Sequence, residues 1–251
     1  MRMSRRAVLH GIGGGVDYSY TGTYDSYGDA SQGYLVLKTS GTLSIKGKVD
    51  LCLVGGGGKG YNGYTVAGSV SSWQGGGGGA GGFVENHLAQ ALNGDFAVTI
   101  GAGSTVQGSA GGQTKIGTSY TANGGNSPAA RQVSVTGRGT SGEGANGGYS
   151  GTDATPGEDG VFPWNDTVNF ASYRVSGCGG GGNNFSNDSA PGGAGGGGDG
   201  GYRTDGEAGT VNTGGGGGGG GTYGSSSSPS PKSGGNGGSG VVFICWGYNH
   251  S

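Results

Sequence analysis

Gly214-Gly215-Gly216-Gly217-Gly218-Gly219-Gly220-Gly221 decides how this chain is read. A run of glycine carries no catalytic side chain and fills no hydrophobic core. It is a poor helix, about 1 kcal/mol per residue worse than alanine, and a poor ordinary strand, with nothing to pack. It does let backbones approach one another, because no Cβ stands between them. Similar tracts lie at 55–58, 75–79, 179–182 and 195–198, and glycine supplies 71 of the 251 residues.

Two conformations compete for such tracts. One is a flexible linker. The other is the left-handed polyproline-II helix, with three residues per turn, about 3.1 Å rise and no internal hydrogen bonds. Its N–H and C=O groups point outward, so several side by side satisfy one another. Eight residues would then span roughly 25 Å. Gly192, Gly195, Gly198 and Gly201 recur every third residue, as do Gly76, Gly79 and Gly82, and Gly215, Gly218, Gly221 and Gly224. In a three-fold helix each set forms one bare ridge. Collagen is excluded by the absence of a strict Gly-X-Y period and by only 6 prolines. The 13 tyrosines, 6 phenylalanines and 3 tryptophans, with charge at only 11%, argue against disorder.

Apolar residues make up 30% of the chain, too few for a large ordinary core. The composition implies a small β module joined to a backbone-packed body. The formal charge of −2 gives no basic footprint for nucleic acid, and no apolar run reaches membrane-spanning length. Ser4-Arg5-Arg6-Ala7-Val8-Leu9 looks like a twin-arginine signal, but His10-Gly11-Ile12-Gly13 follows where an apolar stretch is required. Residues 1–15 are therefore read as a flexible basic arm.

Residues 16–54 read as β structure, with strands at 33–38, 42–45 and 49–54. The run Val241-Val242-Phe243-Ile244-Cys245-Trp246 is the most apolar strand and is placed beside 49–54. Residues 240–247 thus complete the β module, and residues 55–239 form the glycine-rich body with its loop inserts. Within that body, 83–92 reads as a strand, Asn93-Gly94 as a hairpin turn, and 95–100 as the partner strand. The fold expected is mainly β and polyproline-II, an antiparallel module of terminal strands enclosing packed polyglycine-II helices, with little or no α-helix.

Chemistry finds little purchase. His10, His87 and His250 belong to no catalytic motif, and no Gly-x-Ser-x-Gly elbow sits in a strand–turn–helix setting. Gly58-Lys59 fails as a P-loop, because Gly60 follows the lysine and Leu53 stands where the first glycine belongs. The segment 195–199 places Asp199 one position early for a calcium nonapeptide repeat. The acids Glu143, Asp153, Glu158, Asp159, Asp205 and Glu207 lack ligand spacing. No metal, cofactor or enzymatic activity is expected. Cys52, Cys178 and Cys245 contain no CxxC; a Cys52–Cys245 disulfide is one reading and free buried thiols the preferred one.

The inserts between tracts carry the functional expectation, because loops on a rigid scaffold commonly hold recognition residues. Trp73, Trp164, Tyr173, Tyr202 and Tyr223 offer flat surfaces for a sugar or a protein partner. Arg174 and Arg203 serve as polar anchors, and Arg131 and Arg138 lie in the 126–143 insert. The competing reading is that these aromatics fold back as local caps.

Val49-Asp50-Leu51-Cys52-Leu53-Val54 running into glycines 55–58, then residues 75–83, then Val98-Thr99-Ile100-Gly101-Ala102-Gly103, closing on Gly237-Gly238-Ser239-Gly240-Val241-Val242-Phe243-Ile244, resembles the glycine-rich domains of tailed-bacteriophage tail proteins. The preceding Thr39-Ser40-Gly41-Thr42-Leu43 is also similar, so the resemblance spans residues 33–246. It implies a tail-fibre or receptor-binding adhesin, on the virion and outside the cell, whose loops contact a host surface glycan or protein. Partners would be that receptor and other tail proteins, with a homo-oligomer allowed, and neither nucleic acid nor membrane insertion. A non-binding spacer or tail decoration is the alternative. Ice binding through a flat polyglycine face is a third, which the aromatic inserts would interrupt.

Overall fold

The C-terminal apolar run forms β12 (Val241–Trp246), and every one of its residues is buried. The computed structural model describes residues 15–29, 31–65, 73–128, 154, 156–183, 190–225 and 228–249. The remaining strands are β1 (Asp17–Tyr20), β2 (Tyr24–Gly28), β3 (Gly33–Leu37), β4 (Gly41–Val54), β5 (Tyr64–Thr65), β6 (Trp73–Gln74), β7 (Val84–Thr99), β8 (Thr114–Ile116), β9 (Tyr120–Ala122), β10 (Thr222–Ser225) and β11 (Ser228–Pro231). The protein is mainly β with antiparallel sheets. Among the described residues the only helical turn is a 3-10 turn at Pro163–Asn165.

The main sheet runs β2-β3-β12-β4-β7-β8-β9, with β1 also on β4. The expected neighbour relation holds: Val241 faces Val54 and Cys245 faces Asp50 across an antiparallel pair. Both faces of this centre are covered. Leu51, Leu53, Val242 and Ile244 enter one core, while Cys52, Val54, Phe243 and Cys245 enter another. That follows from the period-two alternation of a strand applied to a continuous apolar run.

Two strands expected at 42–45 and 49–54 are one, β4, and it pairs with β7 along nearly its whole length. Asn93-Gly94 is accordingly not a hairpin turn. Asn93 faces Lys46 and Gly94 faces Ile45 inside the β7 ladder. The uninterrupted partner strand overrides the local turn preference, and Gly94 keeps its positive φ of 137° within the strand. The bend falls elsewhere: Leu88 and Ala89 bulge between Val49 and Leu51, and Ala89 takes a φ of 57° while its N–H donates to Asp50 Oδ1. The ribbon curls until its two ends meet at Thr114. The Thr114 hydroxyl donates to the Val54 carbonyl at 2.7 Å and accepts from Gly101 N–H at 3.0 Å.

The glycine tracts leave and re-enter the sheet at this junction. Tract 55–63 continues β4, tract 75–82 leads into β7, and tract 233–240 leads into β12. Tract 55–63 donates every third N–H to tract 75–82 and the residue after it: Gly55 to Phe83, Gly58 to Ala80 and Tyr61 to Gly77. The third N–H of each triplet goes to tract 233–240: Gly57 to Gly238 and Gly60 to Gly235, with Gly63 reaching Lys232.

Tract 214–221 lies among six neighbours. Gly216 and Gly219 donate to Gly177 and Gly180, Gly217 and Gly220 to Gly58 and Tyr61, and Gly218 and Gly221 to Glu207 and Thr204, all at 2.8–3.0 Å. Its carbonyls accept in the same three-residue rotation from Gly82, Gly79 and Gly76, from Gly198 and Gly201, and from Gly238, Gly235 and Lys232. With Gly214 N–H on Ser239 and Gly215 N–H on Thr213 Oγ1, every peptide group of the tract is bonded. A Cβ on Gly219 would sit 1.8 Å from the Gly76 carbonyl oxygen, and one on Gly215 would sit 1.9 Å from that of Gly196. Glycine is required here by proximity.

Candidate functional site

The directions of the tracts sort the candidate residues into two groups. Tract 214–221 starts beside Gly82 and Ser239, next to the sheet, and ends beside Gly63 and Lys232. The far end therefore gathers the β5–β6 hairpin, the β10–β11 hairpin and residues 202–205. Thr222 Oγ1 donates to the Tyr64 carbonyl at 3.3 Å, joining the two hairpins. Arg203 N–H donates to the Asn183 carbonyl at 3.2 Å, and Gly221 N–H donates to that of Thr204. Trp73 lies in β6 at this end. Tyr223 is 56% exposed, Tyr202 is partly exposed, and the Arg203 guanidinium lies 5.0 Å over the Tyr202 ring.

Trp164, Tyr173 and Arg174 belong to the other end. Their insert is pinned where Val161 and Val175 exchange backbone hydrogen bonds, and it covers the second face of the sheet. Trp164 is buried in that core, its ring 4.9 Å from that of Phe170, and its indole N–H donates to the Leu51 carbonyl at 3.2 Å. It is a cap over the sheet and offers no face to a ligand. Tyr173 is half-buried between Tyr34 and Phe243. Burial comes first, and hydrogen bonds with Tyr27 and Tyr34 second, in pushing its hydroxyl pKa up. Arg174 pairs with Asp159 and lies 4.9 Å over the Phe162 ring.

The cysteines offer no reactive thiolate. All three are free and buried. Burial pushes Cys178 up to about 12 and raises Cys52 and Cys245 as well. The preferred free-thiol reading describes this state. His87 packs edge-on to Tyr120 at 5.0 Å, with its Nε2 buried and without a hydrogen-bond partner. Among the described residues no group of three or more His, Cys, Asp or Glu is placed to hold a metal. No helix among them is long and apolar enough to cross a membrane. Residues 1–14, Arg131 and Arg138 lie outside the described residues.

Sequence reasoning passed over Tyr27, which is 46% exposed and stacked on Tyr34 at 4.7 Å. The signal was its place at the end of an early aromatic segment, on a strand that turns out to be a sheet edge. Lys59, set aside as a failed P-loop lysine, has a structural task. Its ammonium donates to the Gly234 carbonyl at 2.6 Å and to Asn236 Oδ1 at 3.0 Å, tying two tracts together.

No curated protein matches the chain in sequence. Residues 38–247 match the family described as a glycine-rich domain, from just after β3 to just beyond β12. That span takes in strands β4 to β12 and every tract of the hydrogen-bonded body, and the chain belongs to this family of glycine-rich domains.

Proposed function

We propose that this protein is a non-enzymatic recognition module, in which a stiff polyglycine-II bundle carries host-binding loops away from its β module. The observation that carries the reading is the three-residue rotation of hydrogen bonds around tract 214–221. A three-fold helix turns successive peptide groups toward successive neighbours, which accounts for that rotation. At about 3.1 Å per residue the tract would hold the far-end loops roughly 25 Å from the sheet. Loops on such a support are positioned for contact, and the partly exposed Tyr202 with the exposed Arg203 and Tyr223 supply aromatic and cationic groups suited to a glycan or protein surface. The phage-tail setting rests on the resemblance of residues 33–246 to tail-protein domains. The same stiffness also serves the alternative, a spacer or tail decoration whose loops bind nothing.

Binding of fluorescently labelled protein to a panel of bacterial strains tests the reading. The expected result is attachment to a subset of strains, lost when Tyr202, Arg203 and Tyr223 are all changed to alanine while thermal unfolding is unchanged. Attachment to none of the strains, or attachment unaffected by the triple change, would leave the spacer reading in its place.

A further inference from the structure

The outer edge of β7 is open along its middle. β7 lies against β4 on one side, and on the other it meets β8 only at Val98 and Thr99. Gly117 N–H donates to the Ala97 carbonyl, so Ala97 directs its peptide groups away from β4. The β4–β7 register runs without a shift from the Gly41–Val98 pair to the Val49–Gln90 pair. Residues of an antiparallel strand alternate in the side to which they bond, so Asp95, Asn93 and Ala91 point outward as Ala97 does. Among the described residues none of the three has a backbone partner on that side. All three are exposed.

Such an edge is a template for another strand, and native sheets blunt it by shortness, proline, lysine or a bulge. The end strands β2 and β9 are short, at 5 and 3 residues. β7 is bulged at Leu88 and Ala89, but from there to Ala97 it carries no proline and no lysine.

Charge selects the occupant. Ser44, Lys46 and Lys48 of β4 face Asp95, Asn93 and Ala91, so all six side chains stand on one face of the sheet. Lys48 is exposed, and among the described residues neither it nor Asp95 is in an ion pair. A two-fold antiparallel pairing centred on Asn93 sets Asn93 against its own copy and Ala91 against the partner subunit's Asp95. Moving the axis one residue either way would draw in Ala97, whose carbonyl Gly117 holds, or Ala89, whose N–H is on Asp50 Oδ1. In the centred register Lys48 lies two strands, about 10 Å, from the partner subunit's Asp95. Only the Ala91 methyl stands between them, and the four-carbon stem of a lysine spans that gap.

We propose that β7 joins two copies of this chain into a two-fold dimer, with Ala91, Asn93 and Asp95 paired across the axis and Lys48 of each copy bound to the partner subunit's Asp95. The contact is short, so the dimer is reversible. It stands whether or not the far-end loops bind a host surface.

The test is sedimentation of the full chain over a range of concentrations, with amide exchange read by NMR. The mass should rise from monomer to dimer. Over the same range the amides of Ala91, Asn93 and Asp95 should gain protection, while that of Gly94, which points toward β4, stays constant. Lys48→Glu and Asp95→Lys each set like charges across the axis, and each alone should weaken dimerisation at least about tenfold. An equal mixture of the two variants should dimerise again, because both contacts then join opposite charges. That rescue also guards against a folding defect in either variant. A monomer at every concentration would overturn the proposal. So would a dimer in which the three amides exchange as they do in the monomer, or a mixture no more dimeric than its components. Protection of the three amides already in the monomer would also overturn it, because another segment of the same chain would then cover the edge.

Discussion

The sheet and the glycine body are two solutions to the same requirement, that buried backbone groups be paired. In the sheet, strands are held about 5 Å apart by their ladders and side chains fill the space between layers. Leu35, Leu37, Leu43, Leu51, Leu53 and Ile244 are fully buried, and apolar burial stabilises the module. In the body there is almost no side chain to bury, and the exceptions are small: Ala80 and Cys178 pack against each other. There the backbone itself is the packing unit, and each tract reaches several neighbours where a strand reaches two. One region fails when atoms are removed, the other when atoms are added.

Gly219→Ala gives the sharpest break. In a flexible linker the same change would be neutral or stabilising by about 0.4–1 kcal/mol. Here the new Cβ meets the Gly76 carbonyl oxygen at 1.8 Å, in the middle of a tract with neighbours on every side. Overpacking usually costs about 1–3 kcal/mol, occasionally more, and no flexible side-chain end is present to yield. A loss of at least about 3 kcal/mol in denaturant unfolding is expected, and a neutral result would remove the contrast. Phe243→Ala is the converse experiment in the sheet. Phe243 is 1% exposed and touches both Phe170 and Tyr173, so the change should cost about 3–5 kcal/mol by leaving a cavity.

Alkaline pH should separate the regions without mutation. Burial raises the Tyr20 hydroxyl to about 12, and it also raises Tyr24, Tyr173 and Tyr248 in and around the sheet. A folded-state pKa above the unfolded value of about 10 means that the folded form holds its proton longer. The associated stability is fully present below pH 10 and is lost as pH rises from 10 toward 12. The melting temperature should fall across that window, and the fall should be smaller in Tyr20→Phe. An equal fall in both proteins would show that Tyr20 does not contribute. The smallest effect belongs to Tyr223→Ala at the far end, which should stay within about 0.5 kcal/mol of the parent in thermal unfolding.

The central pairing of the sheet was legible because it needs only apolar runs: 49–54 and 241–246 are the strongest in the chain and lie side by side. The Asn93-Gly94 turn was misread because a dipeptide preference is local, while the fate of β7 is set by the length of β4. The division of the aromatic candidates was hidden for a different reason. Which insert lies near the sheet depends on the direction in which each tract runs, and glycines carry no mark of direction. Even so, one clue to Trp164 was present. A run of six apolar residues in β12 requires cover on both faces, and the 161–176 insert was the longest tract-free, aromatic-rich segment available to supply it.

Hydrogen exchange at residues 214–221 tests most directly whether the body is held by its own backbone. Each N–H there has a named acceptor in a neighbouring tract or, for Gly215, in Thr213. The amides from Gly216 to Gly220 should therefore be protected as strongly as those of β4 and β12, and should exchange only on global unfolding. Exchange at the rate of an open chain, with the sheet still protected, would mean that the tracts are not paired, and the bundle and the recognition end built on it would both be withdrawn.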